Sequence, residues 1–141
     1  MHELYIVIDD TDNPADVTIE RCPVLSLHDP HEGVPDAPCR VLPPLEAYVK
    51  YKGEERRVVL SVNAAEDLNV ALRLAFRKLD RYISDGQLQI IEAQRTWAKD
   101  PKCVKLATAC AQKTLNLTQL LEGYSKAAAH LYAKVADYSL V

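Results

Sequence analysis

Glycine is scarce in this chain, with four among 141 residues, at positions 33, 53, 86 and 123. Neither a Gly-x-Gly-x-x-Gly dinucleotide loop nor a phosphate-cradling P-loop is written into it. Aromatic residues make up 6%, with one Phe and one Trp, which argues against a dedicated stacking surface for single-stranded nucleic acid. No apolar run approaches the roughly 18 residues that a membrane span requires. The start, Met1-His2-Glu3-Leu4-Tyr5, lacks the basic segment of a secretory leader. The chain is therefore read as soluble and cytoplasmic, with no membrane partner. Its four cysteines, Cys22, Cys39, Cys103 and Cys110, read as thiols in a reducing compartment, because a chain this long does not need disulfides to hold a core.

Apolar residues make up 48% and charged residues 26%, an ordinary globular composition. The net charge of −3 is unevenly distributed. Residues 1–46 hold ten acids and two bases, giving −8, and the remainder holds fifteen bases and ten acids, giving +5. Opposite charges of this kind either attract within one fold or steer partners.

The length predicts a single domain over 1–141, with 1–62 mostly strand and 63–141 mostly helix. Leu4 to Ile8 reads as a buried strand that opens into the acidic loop Asp9-Asp10-Thr11-Asp12-Asn13-Pro14. A second strand is expected over 17–27, near a sheet edge because of Pro23. Residues 28–44 carry five prolines and are expected to form a loop. Period-two patterns over 45–51 and 57–62 predict a β-hairpin. Asn63 with Glu66 resembles a capping box opening a helix, which Ser84-Asp85-Gly86 would end, with a further strand over 88–97. Asp100-Pro101 reads as a second helix start. From Cys103 to Tyr138, apolar side chains then recur at a mean spacing near 3.5, the heptad period. That run is either one long helix or a hairpin with Thr118 as the second N-cap. The fold class is α+β: a small, mainly antiparallel sheet, one packed helix, and a C-terminal helical hairpin or long helix.

Four groups of residues are candidates for function. Asp9, Asp10 and Asp12 offer hard oxygen ligands for Mg²⁺ where a strand opens into a loop; alternatively, Asp, Thr and Asn cap a turn there. Cys22, His28, His31 and Cys39 flank the proline-rich loop and have the donor set of a structural zinc site. Arg73, Arg77 and Arg81 are four apart on a helix, with Arg57 ahead of them. Guanidinium groups in a row suit phosphate or carboxylate, or else form a solvated face. Leu117, Leu121, Tyr124, Leu131 and Val135 lie on the heptad-like stripe and are candidates for a homodimer interface.

An Asp-x-Asp after an apolar strand resembles the first motif of haloacid-dehalogenase-type phosphotransferases. The string Ile8-Asp9-Asp10-Thr11-Asp12 resembles the Asp-Asp-Thr-Asp motif of archaeal enzymes that modify a transfer-RNA cytidine. Either resemblance implies Mg²⁺-dependent phosphoryl or nucleotidyl transfer. The downstream Gly-Met-Cys-Thr of the second family is absent from this chain.

No catalytic triad is evident, so the reading leans away from an enzyme. It favours a non-enzymatic protein-binding module, a regulator, inhibitor or adaptor, expected as a homodimer and without an obligatory cofactor. One alternative is a protein that binds a phosphate, nucleotide or nucleic acid through the arginine ridge. The other is a Mg²⁺-dependent transferase built on the aspartate cluster.

Overall fold

A computed structural model of the chain describes residues 2–28 and 45–140. The fold is a small α+β architecture of five strands and two long helices. In order these are β1 (Glu3–Ile8), β2 (Thr18–His28), β3 (Glu46–Tyr51), β4 (Glu54–Val59), β5 (Ala64–Ala65), α1 (Leu68–Ala98) and α2 (Val104–Ser139). The chain divides into two compact units, Met1–Ile8 with Ile19–Ala75, and Asp9–Thr18 with Phe76–Val141.

The first unit is the sheet, ordered β4-β3-β2-β1-β5 and antiparallel. Alternate residues Leu4, Ile6 and Ile8 of β1 meet Cys22, Ala47, Val49, Val58 and Ala64 in one core. Burying each of the larger side chains is worth about 1.5–3 kcal/mol. The β3–β4 hairpin turns on two residues, Lys52 and Gly53, with φ of 51° and 79°. A two-residue turn with both φ positive matches the twist of the flanking strands, and glycine adopts it without a Cβ penalty. Pro23 does not put β2 at an edge, as its missing N–H suggested; β2 lies between β1 and β3. The next residue, Val24, donates its N–H to the carbonyl of His2 at 2.9 Å. The register against β3 then shifts between Val24 and Ser26. A bulge of this kind accommodates a proline inside a sheet. The outer strand β4 carries Glu54, Glu55, Arg56 and Arg57, and the opposite edge, β5, is two residues long.

Asn63 does not open a helix. Its side-chain oxygen accepts from the Val59 N–H at 2.8 Å, and its carbonyl accepts from Val7 N–H at 2.8 Å, so it shapes the turn into β5. The true N-cap of α1 is Asp67, whose Oδ1 accepts from the N–H groups of Asn69 (2.7 Å) and Val70 (3.2 Å), the pairing that satisfies orphan donors of a first turn.

The second unit is an antiparallel helical hairpin with a short loop against it. The strand expected over 88–97 is helix: α1 continues without a break to Ala98. Gly86, which read as a terminator, is instead a point of close approach. A Cβ there would lie 2.8 Å from Leu120 Cδ1 and 3.2 Å from Leu117 Cδ1 of α2. The pairing runs on through Lys113 Nζ donating to Gln89 Oε1 (3.0 Å) and the Tyr124 hydroxyl donating to Asp80 (3.3 Å). The Phe76 ring completes it beside Tyr124 and Tyr132, at centroid distances of 6.1 and 5.5 Å. α2 starts at Val104, past Asp100-Pro101, and is one helix of 36 residues. Thr118 is not a cap: its hydroxyl donates back to the Thr114 carbonyl at 3.3 Å, one turn earlier. Among the described residues, no helix is long and apolar enough to cross a membrane.

Candidate functional surfaces of the helical unit

The acidic loop is held by its own side chains. Asn13 Oδ1 accepts from Ala15 N–H at 3.0 Å, capping a single 3-10 turn, Pro14–Asp16. Thr11 Oγ1 donates to Asp16 Oδ2 at 2.9 Å and accepts from Asn13 N–H at 3.2 Å. The turn rests on Gly123 of α2. A Cβ at Gly123 would lie 2.9 Å from Pro14 Cγ, 3.2 Å from Ala15 N and 3.3 Å from Asn13 Oδ1. From the other helix, the Tyr82 hydroxyl reaches both Asp9 Oδ1 and the Thr11 carbonyl, each at 2.8 Å. Burial raises the Tyr82 pKa, and the neighbouring Asp9 raises it further. Tyr82 and Asp9 also line a small pocket with Lys78, Arg81 and Asp85.

The three aspartates are not gathered for a metal ion. Asp9 turns to Tyr82, whereas Asp12 lines a separate cleft. Among the described residues, no three His, Cys, Asp or Glu side chains are placed to share a cation. Of the zinc candidates, His31 and Cys39 lie outside the described residues, Cys22 is buried in the sheet core, and His28 is exposed at the end of β2.

The cleft beside the loop has a volume of about 490 Å³ and is lined with carboxamides. Three of their oxygens are already committed. Asn13 Oδ1 accepts from Ala15, Gln89 Oε1 from Lys113, and Asn116 Oδ1 from Gln112 Nε2 at 2.9 Å. A ligand would meet their NH₂ donors and the Gln119 carboxamide, with Asp12, Glu122 and Lys126 as the charges. Hydrogen bonding to a polar group is within its chemistry; a nucleophile with an adjacent base is not there.

Arg57 is engaged within the sheet. Arg57 binds Glu46 of β3 through two hydrogen bonds. That pairing lowers the Glu46 pKa and raises that of Arg57. Arg73, Arg77 and Arg81 are exposed on α1, and among the described residues they make no ion pair. The same spacing continues through Ser84, Leu88, Ile91 and Arg95, all exposed. This face points away from the α2 contact made by Gly86 and Gln89. Leu88 and Ile91 keep 51% and 43% of their surface exposed. The sequence reading missed them by taking them for a strand; the step of three or four from Arg73 was the available signal.

The heptad-like stripe of α2 packs mainly inside the chain. Leu131 is fully buried, Leu117 sits against Gly86, and Tyr124 bonds Asp80. Val135 is half-buried, and of the five expected interface residues only Leu121 is exposed, at 48%. α2 carries a second stripe. Val104, Ala111, Leu115, Glu122, Ala129, Ala133 and Leu140, four or seven apart along α2, are all exposed on one face, which Lys126 shares beside Glu122. Leu121 and Tyr132 widen it, and Leu115 and Tyr132 expose 58% and 59% of their surface.

Comparison with protein-family models, with curated proteins and with solved structures finds no match.

Proposed function

We propose that this chain is a non-enzymatic binding module that pairs with a second copy of itself through the outer face of α2. The supporting observation is that second stripe: Val104, Ala111, Leu115, Ala129, Ala133 and Leu140 stand exposed along a 36-residue helix, with Glu122 and Lys126 near its middle. A helix apolar on two sides gains by covering both, and α1 covers only one. At 1.5 Å per residue the face is about 54 Å long, enough for a helix–helix contact between chains. A parallel pairing would set Glu122 beside its own copy. An antiparallel two-fold pairing centred between 122 and 126 instead sets each Glu122 near Lys126 of the second copy.

The test is sedimentation velocity on the full chain and on Leu121→Asp and Leu115→Asp. Wild type is expected to run as two chains, and each variant as one with unchanged helix content. A wild-type monomer at high micromolar concentration, or variants that still dimerise, would reject the proposal. Leu131→Asp is unsuitable, because Leu131 is buried within its own chain and a charge there would unfold it.

A further inference from the structure

We propose that the outer face of α1 between Arg77 and Arg95 docks an acidic amphipathic helix of a partner protein. This surface is separate from the α2 face and does not depend on self-association. Three guanidinium groups, Arg77, Arg81 and Arg95, stand exposed there with no ion pair among the described residues. Among the described residues, no acid on the same helix forms an ion pair with them. Asp80 is engaged by Tyr124, and Asp85 and Glu92 are one turn or less from an arginine yet pair with none among the described residues.

Between Arg81 and Arg95, about 21 Å apart along the axis, lie Leu88 and Ile91, both about half exposed. Cations at both ends with aliphatic side chains between them form a surface of alternating chemistry. Its complement is a helix with carboxylates near each end of one face and leucine-like residues in the middle, laid along α1 so that both sets engage together. Arginine suits this role because its planar fork meets a carboxylate through two hydrogen bonds. A nucleic-acid backbone fits less well. Phosphates would face Leu88 and Ile91 without gain.

The experiment is fluorescence anisotropy of the full chain with three labelled probes. The first is a synthetic helical peptide with glutamates at both ends of one face and two leucines between. The second is the same peptide with lysines for glutamates, and the third is a mixed-sequence DNA duplex. The expected result is saturable binding of the acidic peptide alone, weakening as salt rises. Arg77→Glu/Arg81→Glu should weaken it about ten-fold or more. Leu88→Asn/Ile91→Asn should weaken it while leaving the salt dependence unchanged. The proposal is overturned if the acidic peptide shows no saturable binding, if the lysine peptide binds as well, if both double variants bind like wild type, or if the duplex binds more tightly.

Discussion

Tyr82 has one hydroxyl proton and two oxygen atoms within 2.8 Å to receive it, Asp9 Oδ1 and the Thr11 carbonyl. Ionisation would leave the phenolate facing both with nothing to donate, which is why burial and Asp9 raise its pKa. The folded protein therefore keeps a proton that the unfolded chain gives up near pH 10. The stability linked to this proton is complete below about pH 10 and is lost as pH rises from there toward the folded-state pKa. Tyr124, raised by burial and by Asp80, acts with the same sign. Tyr82→Phe is expected to cost about 1 kcal/mol at neutral pH and to flatten the alkaline decline. Urea titrations across the alkaline range measure both effects; an unchanged alkaline slope would mean that the proton is not held in this way.

At the scale of elements, the two helical glycines carry opposite expectations. At Gly123 an added Cβ meets the Ala15 backbone and the Pro14 ring, neither of which yields cheaply. Gly123→Ala should cost about 1–3 kcal/mol, despite the roughly 1 kcal/mol that alanine gains in helix propensity. At Gly86 the neighbours are the ends of two leucine side chains, which can rotate aside. Gly86→Ala should fall within about 1 kcal/mol of wild type. Thermal melts of the two variants measure the difference, and equal losses would contradict the assignment.

These glycines also explain where the sequence was legible and where it was not. β1, β2 and the β3–β4 hairpin could be read because alternation, prolines and the Lys52-Gly53 turn act locally. α1 was cut short at Ser84-Asp85-Gly86 because a glycine needed for close packing looks the same in sequence as one that ends a helix. Asn63 was misread for a similar reason: its side-chain oxygen can cap a helix or close a turn, and only the contact with Val59 distinguishes them. Of the candidate surfaces, the Arg73-Arg77-Arg81 spacing was visible. The Asp9–Tyr82 contact spans 73 positions and leaves no local trace.

For the whole molecule, the proposed pairing makes stability depend on protein concentration. A chain that associates only when folded melts at a higher temperature as its concentration rises. Wild type should show that rise, whereas Leu121→Asp should melt at one temperature throughout. Differential scanning calorimetry over a hundred-fold range separates them, and a wild-type melting point independent of concentration would count against the dimer.

The sheet bears on how such association can end. A strand edge can recruit further strands without limit. Here the Glu54-Glu55-Arg56-Arg57 border of β4 presents charge at one edge, and at the other β5 is too short to template a neighbour. Among the described residues, both edges of the sheet are of the kind that disfavours strand addition. In the proposed pairing the contact lies on α2, and a two-fold contact uses up the surface that makes it, so such an assembly would stop at two chains.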